Sequence, residues 1–442
     1  KMKYSQFNST LPYEGKTALF NSFNQQVIFL ENELHDILKA AIHEGIGGLE
    51  QVHPEFYSYL VENSFIVDSN VDEIDKVRKL SKEVDEDESK YILTINPTMN
   101  CNFKCYYCYE THVKDSKMDG IRVEAINKFI TQTLSREKME HFSVSFFGGE
   151  PLLYFKKNVI PIIDHLKVES ERKEKKFAIT FTTNGFLVND DFINYFRNNN
   201  LHATLQITLD GYREEHDKVR FVSKTKGSYD EIVKNIRTLL LSENFYVILR
   251  VNFTEKNIQS CLKIVDDFID IPKEIRDQKL VVDYHRVWQD YKTDDTANIG
   301  LDATEDKLKE HGFNTGGMYS PDNVKNSCYA DKRNSATINY NGDVFKCTAR
   351  DFLTKNRVGY LTDAGELVWE NDHLNVRMEA KMKNKPCQTC RIMPLCNGGC
   401  SQHAIENAGY DYCVYQGDEN EKSRVVLTKI EEIVQKTARA AN

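Results

Sequence analysis

Three cysteines stand within eight residues: Cys101, Cys105 and Cys108. Thiolates this close can bind zinc or iron. A structural zinc takes four ligands, and the nearest further candidate, His112, lies outside the triplet. A [4Fe–4S] cluster has four irons to hold, so three thiolates leave one iron open to another molecule. The triplet therefore points to a cluster that binds substrate or cofactor directly.

Seven more cysteines follow, at Cys328, Cys347, Cys387, Cys390, Cys396, Cys400 and Cys413, and Cys261 stands alone. In a reducing compartment such a set reads as metal or redox ligands before disulfides. The spacing is Cys328-x13-Gly342-x4-Cys347, then Cys387-x2-Cys390-x5-Cys396-x3-Cys400, then Cys413. Seven thiols do not divide into zinc sites of four. This region is turn-rich with little helical periodicity, so it needs more than an apolar core to hold it. Cys261 shares one helical face with Ile258, Leu262, Val265 and Phe268 and reads as a small core residue.

The elements that must position the triplet alternate between strand and helix. Strands are expected at Tyr91–Ile95, Phe142–Phe147, Phe177–Thr182, Ala203–Leu209, Tyr246–Phe253 and Leu280–Val287. Helices are expected at Ile121–Ser135, Val159–Lys173, Asp191–Asn198, Ser228–Leu241 and Asn257–Ile269. This alternation means an α/β fold with a parallel sheet, and six units make a partial barrel. The triplet falls in the first strand-to-helix loop, on the face where barrel active sites gather. Other strand ends carry Phe147-Gly148-Gly149-Glu150-Pro151, Thr183-Asn184-Gly185 and Thr208-Leu209-Asp210-Gly211, while Arg250 and Asn252 lie on the fifth strand.

The motif Cys-x3-Cys-x-aromatic-Cys, with Tyr107 as the aromatic, resembles the signature of the radical S-adenosylmethionine superfamily. The resemblance implies that Cys101, Cys105 and Cys108 hold a [4Fe–4S] cluster whose free iron binds the methionyl amino and carboxylate groups. It implies S-adenosylmethionine contacts at Tyr107, Gly148, Gly149, Glu150, Pro151, Asn184, Thr208, Asp210 and Arg250. The Gly148–Pro151 turn would meet the methionyl ammonium and Arg250 the carboxylate. The seven later cysteines with Gly342 resemble the SPASM domain of radical enzymes that modify peptides and proteins. By that analogy Cys387, Cys390, Cys396 and Cys413 hold an outer cluster. Cys328, Cys347 and Cys400 hold an inner one with one iron not held by cysteine. The cofactors implied are three [4Fe–4S] clusters and S-adenosylmethionine.

The fold expected is thus a partial (β/α)6 radical SAM barrel over 87–310, with a SPASM domain and C-terminal helix over 311–442. Residues 1–86 look like a winged-helix recognition domain of peptide maturases, which would bind the leader of a precursor peptide by strand addition. Within it, short strands are expected at Ala18–Phe20, Gln26–Leu30 and Phe65–Val67, and helices at Glu33–Ala41 and Pro54–Glu62. Val71, Ile74, Val77 and Leu80 mark an amphipathic helix, Glu83–Lys90 a solvated linker, Gln289–Lys325 a polar loop, and Arg424–Lys436 a tail helix.

The expected activity is hydrogen abstraction from a ribosomally made peptide and an oxidative side-chain cross-link: carbon–carbon, carbon–oxygen or thioether. Sulfatase-type maturation is the alternative. In sulfatase-maturing enzymes an Asp base directly follows the cysteine matching Cys347; here Thr348 stands there, and the further cysteine they carry upstream of Cys328 is absent. Asp283, His285, Asp210 and Asp351 are candidate bases, none singled out. A non-catalytic iron–sulfur electron carrier would need neither an open iron nor the Gly148–Pro151 turn.

The formal net charge of −9 argues against nucleic acid and anionic membranes as partners. No apolar run approaches a membrane-spanning length, and no signal-peptide pattern opens the sequence, so a cytoplasmic enzyme is expected. An electron donor such as flavodoxin or ferredoxin is the remaining partner.

Overall fold

The computed structural model describes residues 1–287, 296–316 and 322–440. They form two compact units. One comprises Glu88–Tyr319 and Asn334–Asn371, the other Lys1–Asp87, Ser320–Arg333 and Asp372–Asn442.

The first of these is an α/β unit. Its sheet has six consecutive parallel strands: β1 (Lys90–Ile95), β2 (His141–Phe146), β3 (Lys176–Thr183), β4 (Ala203–Leu209), β5 (Phe245–Phe253) and β6 (Leu280–Arg286). Helices Gly120–Leu134, Ile160–Arg172, Asp190–Asn198 and Tyr229–Leu241 connect them. Alternation fixes which side chains face the helices. Along β2, Phe142, Val144 and Phe146 are fully buried, while Ser143 and Ser145 are half-buried on the other face. On β5, Val247, Leu249 and Val251 enter the core and Arg250 points away from it. In register, Thr208 of β4 stands beside Arg250 of β5, which stands beside Asp283 of β6. One face is therefore apolar under helices and the other is lined with polar groups.

Among the described residues the parallel set does not close on itself. Asn314–Gly316 adds a parallel strand outside β6, and Ser335–Ile338 adds one beside β1. Three antiparallel strands, Asp343–Phe345, Gly359–Leu361 and Leu367–Trp369, extend the sheet from there. The barrel is partial, as expected.

Two expectations need correction in this unit. Asn257–Ile269 is not one helix but two short turns, Ile258–Cys261 and Ile264–Asp267. Past Cys261 the N–H groups bond three residues back, Lys263 to Ser260, Asp266 to Lys263 and Phe268 to Val265, which is a tighter 3₁₀ path. The stretch Gln289–Lys325 is not all loop, because Thr296–Glu310 is helical, with Leu301, Thr304 and Leu308 buried along it. Residues 289–295 and 317–321 of that expectation lie outside the described residues.

In the other unit, Asn8–Tyr13, Lys16–Asn21 and Gln26–Leu30 form an antiparallel sheet, and Met2–Tyr4 pairs with Ile66–Asp68. Helices Asn32–Glu44, Pro54–Glu62 and Glu73–Asp85 accompany them. The strands Met2–Tyr4 and Asn8–Tyr13 have no clear apolar alternation in sequence. Their place depends on buried amide contacts such as Asn21 Nδ2 donating to Asn8 Oδ1 at 2.8 Å.

Two apolar clusters weld this N-terminal part to the cysteine-rich part. Phe7, Ile74 and Val77 pack with Val324, Met382 and Met393. Ala18 and Phe20 pack with Ile392, Leu395, Val426 and Ile430. The tail helix runs over Glu419–Ala440 and supplies the last two. Asp85 is buried at a helix end, so Glu83–Lys90 is not wholly a solvated linker. Packing thus groups the chain differently from the linear division 1–86, 87–310 and 311–442, because apolar side chains far apart in sequence share a core.

Candidate active site

The Cys101–Cys108 loop leaves β1 and is pinned at both ends. Met99 N–H donates to Ser116 Oγ at 2.9 Å, and Val113 N–H to the Met99 carbonyl at 3.0 Å. Phe103 is buried edge-on against Phe186. Cys101 and Cys105 are half-buried and Cys108 is exposed. On the outer side, Tyr109 Oη donates to the Thr348 carbonyl. Thr111 donates through N–H and Oγ1 to the Asp351 carboxylate, at 3.0 and 2.6 Å.

The Gly148–Pro151 turn supports the loop from below. Gly149 N–H donates to the Thr98 carbonyl at 3.0 Å and Glu150 N–H to the Asn100 carbonyl at 2.9 Å. A Cβ on Gly149 would lie 2.1 Å from the Asn100 carbonyl oxygen. Gly148 has φ +104°, and a Cβ there would lie 2.5 Å from the Thr98 oxygen. The first close approach these glycines permit is to the cysteine loop's own backbone. The Glu150 carboxylate is fully buried and accepts from Leu152 N–H, Thr183 Oγ1 and Asn184 N–H. Burial raises its pKa, and those three donors oppose the rise. Asn184 Nδ2 reaches back to Asn102 Oδ1 at 2.7 Å. Strand ends β2 and β3 therefore grip the loop after β1.

Tyr107 enters a second network. Its hydroxyl donates to Asp210 and accepts from Arg220 Nη2 at 2.6 Å and Asn252 Nδ2 at 3.0 Å. Arg220 also pairs with Asp210 through Nε. Arg250 Nε donates to Asn252 Oδ1 at 3.0 Å, across from Asp283. His216 is buried: its Nδ1 accepts from Asp210 N–H at 3.1 Å and its Nε2 meets Ser228 Oγ at 2.9 Å. Burial first, then Arg220, holds its pKa well below the usual imidazole range, so it is a neutral support.

These contacts bring Tyr107, Asp210, Asn252 and Arg250 together, with Gly148–Pro151 and Asn184 under the cysteines. Thr208 sits buried in register beside Arg250. Arg220 has no signal in the sequence, since a lone Arg after a short helix carries no motif. Of the candidate bases, Asp210 and Asp351 are engaged by neighbours as described. His285 Nε2 lies 2.6 Å from Asp283 Oδ2 on the polar face of β6.

The outer set is also gathered. Cys387, Cys390, Cys396 and Cys413 line one small cavity with Tyr412 and Tyr415. Among the described residues no three Cys, His, Asp or Glu side chains close on a single ion. A cube of four irons keeps its thiolates farther apart than one zinc at roughly 2.3 Å does, so four thiols around a shared cavity fit a cluster. Cys328 and Cys400 lie in the same unit as this cavity, and Cys347 lies in the α/β unit. Cys261 is fully buried in the α/β core, its Sγ donating to the Asn257 carbonyl at 3.5 Å.

The model of the radical SAM superfamily matches residues 95–268. A cysteine-type anaerobic sulfatase-maturating enzyme of Clostridium novyi (strain NT) is 25% identical over 338 residues, covering 70% of this chain and 87% of that protein. The radical SAM cyclopropyl synthase TigE of Paramaledivibacter caminithermalis is 21% identical over 434 residues, covering 88% and 86%. The crystal structure of Streptococcus suis SuiB bound to precursor peptide SuiA aligns with a TM-score of 0.53 at 17% identity, covering 95% of this chain and 100% of that one. That likeness speaks to the fold. With the cysteine loop, its two supporting strand ends and the domain match together, the chain is an enzyme that carries a radical SAM domain over residues 95–268, which implies a [4Fe–4S] cluster and S-adenosylmethionine.

Proposed function

We propose that this enzyme is a peptide maturase that installs an oxidative side-chain cross-link in a ribosomally made precursor. The observation that carries this reading is the gathering of Cys387, Cys390, Cys396 and Cys413 around one cavity, beyond what the barrel needs. Relatives that make a cyclopropyl group or bind a precursor peptide support it.

In this reading Cys101, Cys105 and Cys108 hold the first cluster. Tyr107, Gly148, Gly149, Glu150, Pro151, Asn184, Thr208, Asp210 and Arg250 form the S-adenosylmethionine site. When bound, the cluster and S-adenosylmethionine supply a 5′-deoxyadenosyl radical that takes hydrogen from the substrate. The chain's own part is to hold the loop, aim the donors and keep a polar chamber beside it. Cys387, Cys390, Cys396 and Cys413 hold an outer cluster; Cys328, Cys347 and Cys400 hold an inner one, three clusters in all. Residues 1–86 bind the leader as an added strand. A flavodoxin or ferredoxin supplies electrons in the cytoplasm. Among the described residues no helix is long and apolar enough to cross a membrane.

Sulfatase-type maturation is the second reading, favoured by the Clostridium novyi relative. Against it, Thr348 follows Cys347, and a threonine hydroxyl is no base at neutral pH.

The test is iron and sulfide content after anaerobic reconstitution, with deoxyadenosine formation under a strong reductant. About twelve irons with deoxyadenosine formed is the expected result; zinc in place of iron, or iron without cleavage, overturns it. Mass spectrometry of treated peptides then separates the two readings. A cross-link removes two hydrogens, whereas sulfatase maturation leaves an aldehyde that hydrazides trap.

A further inference from the structure

A buried charge network lies among the residues that flank Cys328 and Cys400. Lys381 Nζ sits 2.9 Å from Asp331 Oδ2 and 3.4 Å from Asp85 Oδ2. Their side chains are 8%, 2% and 6% exposed. Lys332 Nζ bonds Ser327 Oγ at 3.0 Å and the buried Arg377 Nη1 donates to Ser401 Oγ at 2.9 Å, so further cations border this triad. Such a triad is weak evidence for stability, because desolvation offsets the attraction. Its worth must lie in what it positions.

The Asp331 contacts show what that is. Asp331 ends the turn after Cys328, and its N–H donates to the Cys328 carbonyl at 3.0 Å. Its Oδ1 accepts from the N–H of Ser401, the residue after Cys400, at 3.0 Å. Asp85 Oδ1 accepts from Ser327 Oγ, just before Cys328, at 2.6 Å. Ser81 Oγ links Asp85 to Asn397, between Cys396 and Cys400, at 3.3 Å. One carboxylate thus spans from the Cys328 turn to the Cys400 turn, and Lys381 holds its other oxygen.

We propose that Asp331 is a positioning residue for the inner iron–sulfur cluster, clipping the Cys328 turn to the Cys400 turn and, balanced by Lys381, setting that cluster's potential. This rests on the reading that Cys328 and Cys400 are ligands of one cluster.

The test uses the full chain, reconstituted anaerobically, with iron and sulfide analysis and an electron-paramagnetic-resonance redox titration. Asp331→Asn keeps an oxygen for the Ser401 N–H but removes a negative charge, which favours the reduced cluster. One potential rises by about tenfold in equilibrium, about 59 mV for one electron, and the others stay. Ser401→Pro removes the N–H that Asp331 accepts, together with the hydroxyl that accepts from Arg377 Nη1 at 2.9 Å. Proline suits the first helical position, and Cys400 already has the extended backbone that precedes proline. This variant keeps the Asp331–Lys381 pair, so it decides the matter should Asp331→Asn fail to fold. It shifts the spectrum of the same cluster or lowers iron by about a third. Ser401→Ala, which keeps the N–H, measures the hydroxyl's own share. Full iron and unchanged potentials in both Asp331→Asn and Ser401→Pro overturn the proposal alone. A parent enzyme that loads only the Cys101–Cys108 cluster overturns the three-cluster reading as well.

Discussion

The Tyr107 hydroxyl lies 2.7 and 2.8 Å from the two oxygens of Asp210, joining the cysteine loop to the end of β4. Arg220 closes the triangle by pairing with Asp210 and donating to Tyr107. The aromatic between the second and third cysteines is therefore an anchor for the loop. The link from residue to function here is position: the loop cannot present three thiols unless β4 and β5 hold its middle.

Arg220→Met should be severe. Asp210 is 2% exposed, and removing its cation leaves a buried carboxylate with the Tyr107 hydroxyl beside it but without the Arg220 counter-ion. A loss of roughly 3–5 kcal/mol is expected. Tyr107→Phe should cost about 1–3 kcal/mol, since it strips one hydroxyl from the same donors. Denaturant unfolding of the two variants gives the order, and equal effects would contradict it.

Gly149→Ala should remove the first cluster's support while sparing the rest. The added methyl would sit 2.1 Å from the Asn100 carbonyl oxygen, an approach only a backbone shift relieves. Iron should fall by about four of twelve atoms, with deoxyadenosine formation lost. Retained cleavage at the parent's rate would show that the loop tolerates the shift.

Loading of the first site should depend on pH. Burial, then Glu150, pushes the Cys101 thiol up to about 12, and burial also raises the Cys105 thiol. Both are protonated in the apoprotein at neutral pH, and a thiolate is the ligand, so insertion releases protons. The extent of loading should rise from about pH 7 to about pH 9. Proton release in weakly buffered solution measures it directly; loading without release would refute the premise.

Cys261→Ala should leave iron unchanged and cost roughly 1–2 kcal/mol, because its sulfur is fully buried among apolar residues. Cys396→Ala should instead lose iron, as one of four thiols around one cavity. Iron analysis beside thermal unfolding separates the core role from the ligand role.

By itself the sequence determined the six parallel strands, the helices between most of them, and the place of the Cys101–Cys108 triplet in the loop after the first strand. Those signals are local: period-two and period-3.6 patterning, glycine turns and thiol spacing. Cys261 was legible as a core residue for the same reason. The tertiary structure alone decided what Arg220, His216 and Asn252 do around Tyr107, because each comes from a different element and none carries a motif. It also decided that Phe20 packs with Ile392 and Leu395, and that Asp331 binds the N–H after Cys400. Those partners are separated by many residues, and only packing of apolar surface and pairing of buried charge can select them.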